Sequence, residues 1–367
     1  MTDLCDLTPA YIRDIAPYQP GKPISELERE LGLTRIIKLA SNENPLGPSP
    51  KALEAIAAAL PEVALYPDGN GFELKSALAS RFAVTREQVV LGNGSNDVLE
   101  LVARAFLGHG TSAVYSQHAF AVYPLVTQAV GAERIEVGAQ DFAHDLEAMV
   151  AAVRPDTRVL FVANPNNPTG TLIPGPHLRE MLARVPHHVL IVLDEAYTEY
   201  LLPEHRYDAV SWLETMPNLL ISRTFSKAYG LAGLRVGFGL ARPAIIDLLN
   251  RVRQPFNVSS LALTAAVAAL DDAAFLERTR ALNTAGLAQL SAGFRRLGLP
   301  FIPSFGNFVA VEVGDSARIY QALLRRGIIV RPVAAYQMPR YLRVSVGLAQ
   351  ENAAFLEALE ASLDETA

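Results

Sequence analysis

Between residues 89 and 240 the chain returns repeatedly to short, β-branched and almost wholly apolar segments, at 89–91, 113–115, 158–163, 189–193, 219–222 and 235–240. A strand with one face in water alternates apolar and polar residues; these segments do not. They suit strands buried on both faces, the condition of a parallel sheet covered by helices on each side. The spacers between them carry helical patterns, as parallel crossovers require. An α/β domain follows.

Beyond Pro255 the pattern changes. A long helical region at about 261–297 leads to strands near 307–313 and 341–346, then to a final helix from Glu351. That order predicts a smaller α+β domain, completed by the N-terminal segment. With 367 residues the chain exceeds what one core usually fills. The expected division is 1–45 as an N-terminal arm and part of the small domain, 46–255 as the large domain, and 256–367 as the small C-terminal domain. The stretch from Asn44 to Pro50, with three prolines, marks the first boundary. Before it, residues 25–31 read as a helix with Ser25 as N-cap, Glu28 completing a capping box and Gly32 as the stop.

Composition removes several function classes. The net charge is −6 and the basic residues are scattered, with Arg295-Arg296 and Arg325-Arg326 too isolated to form a nucleic-acid footprint. Cys5 is the only cysteine, so no internal disulfide or cysteine-rich metal site is possible. The seven histidines show no ligand spacing, and no metal is expected. Met1 to Asp6 is acidic and lacks the basic start and apolar run of a secretory signal. The most apolar later stretch, 261–270, ends at Asp271-Asp272 and is too short to cross a bilayer. A cytoplasmic chain without membrane or nucleic-acid partners is the expectation.

Polar clusters stand at the ends of the apolar segments, where open α/β sheets bind ligands. Gly92-Asn93-Gly94-Ser95-Asn96 opens a helix expected at 97–106, a turn whose free N–H groups and helix dipole favour an anion. It is no nicotinamide fingerprint, because the third glycine is missing, and taken alone it is an ordinary turn with Ser95 as N-cap. Asn164-Pro165-Asn166-Asn167-Pro168-Thr169-Gly170 forms a rigid turn with several amides. Asp194 ends a fully apolar strand, a costly place for a carboxylate without a cationic or hydrogen-bonding partner. Lys227 follows Ser222-Arg223-Thr224-Phe225-Ser226, with Arg235 eight residues on, and is a plausible nucleophilic amine. Each cluster has a plain structural explanation. Their conjunction and order do not.

Together these patterns resemble the aspartate-aminotransferase-like superfamily of pyridoxal-phosphate enzymes, through Asn167-Pro168-Thr169-Gly170, Asp194-x-x-Tyr197 and Ser226-Lys227-x-x-Gly230-x-x-x-x-Arg235. Within it the chain is most similar to histidinol-phosphate aminotransferases. Pro17-Tyr18-Gln19-Pro20-Gly21, Leu39-Ala40-Ser41-Asn42-Glu43-Asn44-Pro45, Tyr66-Pro67-Asp68-Gly69 and Leu342-Arg343-Val344-Ser345-Val346-Gly347 carry that likeness. The resemblance implies a mostly parallel seven-stranded sheet flanked by helices in the large domain, and pyridoxal 5'-phosphate as cofactor. It implies that Lys227 links to the cofactor and shuttles the substrate proton, and that Asp194 pairs with the ring nitrogen. Asn167 and Tyr197 are implied at the phenolic oxygen, Phe120 against the ring, and Ser95, Asn96, Thr224, Ser226 and Arg235 at the phosphate. Tyr66 is implied at the phosphate of a neighbouring subunit, hence a homodimer. Tyr18, Asn44, Arg331 and Arg343 are the implied substrate contacts. The implied reaction joins L-histidinol phosphate and 2-oxoglutarate to give imidazole acetol phosphate and L-glutamate in histidine biosynthesis. The alternative on the same chemistry is an aromatic, phenylalanine-type aminotransferase.

Overall fold

A computed structural model describes residues 4–366; the first residues of the acidic start, 1–3, lie outside it. The six apolar segments, joined by Glu133–Val137, form one seven-stranded sheet in the order Val89–Gly92, Gly237–Ala241, Leu219–Thr224, Leu190–Asp194, Thr157–Ala163, Ser112–Ser116, Glu133–Val137. All neighbours pair in parallel except Gly237–Ala241, which runs against both of its own. Val89–Gly92 therefore points the same way as the parallel strands, and its glycine turn emerges at their carboxyl edge.

Burial explains the unbroken apolar runs. Leu160, Val162, Ile191, Leu193, Leu219 and Ile221 feed one core, while Val159, Phe161, Leu190, Val192 and Leu220 feed the core behind the sheet. Successive side chains point to opposite faces and both faces are covered, so neither can be polar. Each fully buried aliphatic side chain contributes about 1.5–3 kcal/mol, enough to hold the sheet without alternation. The exception is Glu133–Val137, whose residues are exposed or half-buried. It is the edge strand, and its charges suit an edge.

The second unit is an antiparallel sheet ordered Arg331–Pro332, Tyr341–Ser345, Phe308–Glu312, Phe301–Ile302. Its apolar core takes residues from helices Ala273–Arg296, Ser316–Arg325 and Ala349–Thr366. The N-terminal segment joins it: Ile37–Lys38 pairs with Ile328–Ile329, and Ser345 N donates to Leu39 O at 2.9 Å.

Three local expectations change. The early helix runs Ile24–Leu31 from Pro23, without a side-chain cap, although Gly32 ends it at φ 64. A proline fixes the helix start before Ser25 can cap it. The helix after the first strand is Ser95–Phe106, with Gly94 rather than Ser95 in the capping position. The long region beyond residue 260 is two helices, Ser260–Leu270 and Ala273–Arg296, broken where Asp272 caps Phe275 N. The alanine face of Ser260–Leu270 packs on Pro50–Ala59 and Phe72–Phe82 and shares the main core, although a boundary at residue 255 assigns that helix to the small unit.

Candidate active site

The strand ends bring Ala163, Asp194 and Thr224 to the floor of one pocket, because Ala163 is in register with Asp194 and Asp194 with Ser222. Asp194 is 5% exposed. Tyr123 Oη donates to its Oδ2 at 2.9 Å, and Ala196 N donates to its Oδ1 at 3.2 Å. Burial pushes its carboxyl up to about 6, against the pull of the Tyr123 hydrogen bond. Above that pH an anion stands in a buried floor, with two neutral donors and no bonded cation among the described residues. It can hold a protonated ring nitrogen.

One wall is built to take a dianion. Ser95 and Asn96 open a twelve-residue helix, so their N–H groups lack partners within the helix. Arg235 Nη1 donates to Ser226 Oγ at 3.2 Å, and Ser226 N donates to Thr224 Oγ1 at 3.0 Å. Gly94 sits at φ 80, and a Cβ there would strike the Arg235 guanidinium. A Cβ on Gly237 would come within 2.5 Å of Ser95 N. Two glycines thus keep a concave wall of N–H, hydroxyl and guanidinium donors open. No carboxylate pairs with Arg235 among the described residues. A phosphate fits this donor set.

Lys227 Nζ projects between that wall and the opposite one, donating to Ser41 O at 3.1 Å. Burial, with Arg343 next, lowers its ammonium to about 8. Much of the amine is therefore neutral just above physiological pH, as a nucleophile or base must be. Phe120 contributes a flat wall, edge-on to Tyr123 with centroids 5.9 Å apart.

The remaining wall holds Asn167, Tyr197 and Arg343. Arg343 Nη1 donates to Asn167 Oδ1 at 2.6 Å, which turns the Asn167 amide nitrogen away from the arginine. Arg343 Nη2 donates to Ala40 O at 2.7 Å. Its Nε has no partner, and no carboxylate pairs with this buried guanidinium among the described residues. A buried cation left uncompensated is costly, and an incoming anion removes the cost. Arg331 lines the pocket from the edge strand, with its guanidinium 5.4 Å from the Tyr18 ring centroid and its Nη2 donating to Gln19 O at 2.5 Å.

One expected contact falls elsewhere. Asn44 does not line the pocket: its Nδ2 donates to Ala228 O at 2.9 Å and Thr279 Oγ1 at 3.0 Å, which makes it a brace behind Lys227. Asn42, two residues earlier, is the amide that reaches the pocket. Tyr66 is 84% exposed and lies outside its own chain's pocket, stacked on Phe256 with centroids 4.8 Å apart. Asn42, Tyr123 and Tyr336 line the site without having been singled out. Tyr123 lies inside an apolar helix, and only its hydroxyl, the one polar group available to a strand-end carboxylate there, could have drawn notice.

A family model described as aminotransferase class I and II matches residues 34–359. The histidinol-phosphate aminotransferase of Methylobacillus flagellatus is 64% identical over 362 residues, covering 98% of each chain. That of Thiobacillus denitrificans, numbered 1, is 63% identical over 359 residues, covering 97% of this chain and 94% of that one. Among solved structures, histidinol-phosphate aminotransferase from Sinorhizobium meliloti in complex with pyridoxal-5'-phosphate superposes with a TM-score of 0.89 at 29% identity, over 98% of both chains.

Proposed function

The chain belongs to the aminotransferase class I and II family, and from that premise we propose that it moves the amino group of L-histidinol phosphate to 2-oxoglutarate, leaving imidazole acetol phosphate and L-glutamate. Relatives at 63–64% identity bear that activity in their names. The observation within the site that carries the reading is Arg343, a buried guanidinium lining the pocket with no carboxylate partner among the described residues. With Arg331 at the same mouth, it offers anion anchors to a phosphate ester in one half-reaction and to a carboxylate in the other.

Pyridoxal phosphate supplies, when bound, an electron sink for the pair left on the substrate carbon once its proton is removed. Ser95, Asn96, Thr224, Ser226 and Arg235 would hold its phosphate, Phe120 its ring face, Asp194 its ring nitrogen, and Asn167 and Tyr197 its phenolic oxygen. Lys227 would bind it covalently through Nζ. Released from that link, the Lys227 amine is the group placed to take the proton from the substrate carbon and hold it for return. Asp194 keeps a negative charge at the ring nitrogen, and its shielding from water strengthens that interaction. Tyr18, from the N-terminal arm, narrows the mouth beside Arg331.

A homodimer is part of the same proposal. Tyr66, Phe256, Leu65 and Val63 expose large apolar surface on the segments flanking the large core, more than lone surface residues account for. Tyr66, outside its own pocket, is free to reach the partner's cofactor phosphate. A cytoplasmic site of action suits a chain with a single cysteine. No helix among the described residues is long and apolar enough to cross a membrane. The experiment that tests the reading compares histidinol phosphate, phenylalanine and aspartate as amino donors to 2-oxoglutarate at steady state. Histidinol phosphate should lead in kcat/KM; a preference for phenylalanine would transfer the assignment to the aromatic alternative.

A further inference from the structure

Three consecutive residues of the segment that links the two sheets each hold one side chain of the site. Ala40 O accepts from Arg343, Ser41 O accepts from Lys227, and the Asn42 side chain donates to Tyr197 Oη at 2.9 Å. The first two contacts are made by main-chain carbonyls, which any residue supplies. The third depends on what stands at position 42.

Asn42 is itself held on every side. Its main-chain N–H donates to Ser345 Oγ at 2.8 Å, Ser345 Oγ donates to its Oδ1 at 2.9 Å, and its carbonyl accepts from Asn307 Nδ2 at 3.0 Å. It is 1% exposed and sits at φ 55, a left-handed conformation that asparagine tolerates better than most side chains. With Oδ1 taken by Ser345, the amide nitrogen faces Tyr197. A phenol oxygen that already accepts a hydrogen bond turns its own hydrogen elsewhere. The Tyr197 ring is edge-on to Phe308, its Oη is occupied on the Asn42 side, and Lys227 Nζ lies 6.0 Å from its centroid.

We propose that Asn42 is a positioning residue that fixes the direction of the Tyr197 hydroxyl, so that Tyr197 donates its proton into the cofactor cavity rather than back into the linking segment. The inference rests on the reading of Tyr197 as a ligand of the cofactor's phenolic oxygen. An amide donor behind the phenol also makes the hydroxyl a stronger donor in front, because hydrogen bonds in a chain polarise one another. The charged groups that face Tyr197 are Arg343, Asp194 and Lys227, and the titratable phenols are Tyr123, Tyr200 and Tyr336; the variants below leave all six in place.

The test is a pH titration of the absorbance of the cofactor-loaded protein, which reports proton affinity at the lysine–cofactor link without turnover. Asn42→Gly tolerates the backbone at φ 55 and removes the donor to Tyr197, together with the Oδ1 that accepts from Ser345 Oγ. The midpoint should rise, with proton affinity increasing about 2- to 10-fold, the worth of one lost hydrogen bond. Ser345→Ala, which frees the Asn42 amide to rotate, should shift it the same way by less. Tyr197→Phe should give the largest shift, and adding Asn42→Gly to it should change nothing further. If Tyr197→Phe leaves the midpoint alone, the placement of Tyr197 at the phenolic oxygen fails. If Tyr197→Phe shifts it while Asn42→Gly does not, or the two shifts simply add, the role of Asn42 is overturned.

Discussion

Tyr123 Oη lies 2.9 Å from Asp194 Oδ2, and the two meet at the floor of the site from opposite layers of the fold. Tyr123 belongs to the helix Val122–Ala129 and stacks on Phe161 with centroids 4.8 Å apart, while Asp194 ends a central strand. Burial raises both groups, so the phenol stays protonated and the pair shares one short donor–acceptor contact. The phenol is the main force opposing protonation of Asp194.

Replacing it has a signed consequence. Asp194 is ionised above about pH 6, and if it holds the ring nitrogen as proposed, cofactor uptake by the apoprotein should follow that charge. Tyr123→Phe removes a lowering influence, so the acidic limb of the pyridoxal phosphate association rate should move to higher pH. A hydrogen bond to a charged group is worth about 1.5–3 kcal/mol, or roughly one to two pH units. Asp194→Asn should abolish the limb. A limb that stays put in Tyr123→Phe would remove the tyrosine from the electrostatics of the floor.

A second titrating group lies beneath the site. Arg223 pairs with the buried Glu195 at 2.7 Å, and Glu199 stands close by with an enclosed Oε2 that has no partner. Glu199 is only partly covered as a residue, but burial of its carboxyl raises it from 4.5 to about 7, with Arg223 opposing. A raised carboxyl favours the folded state while it holds its proton. That contribution is complete below about 4.5 and is lost as pH rises through about 7. Glu199→Gln should therefore match the parent in Tm near pH 5 and exceed it near pH 8. Parallel Tm profiles for the two proteins would show that Glu199 is ionised in the fold.

How much of this was readable beforehand depends on what each residue must satisfy. Lys227, Asp194, Asn167 and Arg235 stand in polar clusters at the ends of apolar strands, each with a plain structural explanation alone, and it is their conjunction and order that make them visible. Glu133–Val137 was not read as a strand, because an edge strand may be charged and Glu-Arg-Ile-Glu-Val carries little apolar signal. The resemblance points to Asn44 and not to Asn42 as the contact, since two asparagines two residues apart are equivalent until the left-handed turn at Asn42 aims it inward. Tyr336 reaches the pocket from a one-turn helix in the small unit, 142 positions beyond Asp194 in a chain whose spacing says nothing of that approach.

Assembly offers a third prediction. Phe256 holds Tyr66 by stacking and does so from φ 57, a strained conformation for an aromatic residue. If Tyr66 completes the partner's site, chains carrying Tyr66→Ala and chains carrying Lys227→Ala, each inactive alone, should recover activity when refolded together. Random pairing makes half the dimers mixed with one intact site each, so about a quarter of parental activity is expected. No recovery would mean that Tyr66 serves its own chain or is structural.

The last prediction separates the two arginines. Arg343 is buried and spends one N–H of each Nη on Asn167 and Ala40, leaving the second N–H of each for an incoming anion. Arg331 is tied to Gln19 O and the Tyr18 ring at the outer edge of the pocket, where a longer substrate's far end would lie. Arg343→Ala should impair both half-reactions, because each substrate needs the inner anchor and Asn167 loses the bond that orients its amide. Arg343→Lys should rescue little, since one ammonium cannot reproduce the planar fork. Arg331→Ala should impair the histidinol phosphate half-reaction more than the glutamate one. A lost charge-assisted contact costs roughly 1.5–3 kcal/mol, about 10- to 150-fold in kcat/KM. The measurement is single-turnover kcat/KM for both half-reactions in each variant, with unphosphorylated histidinol as a second donor. Arg331→Ala should leave histidinol turnover nearly unchanged while erasing the advantage of its phosphate. Equal use of histidinol and its phosphate by the parent would show that neither guanidinium reads the phosphate, and the substrate assignment would fall with it.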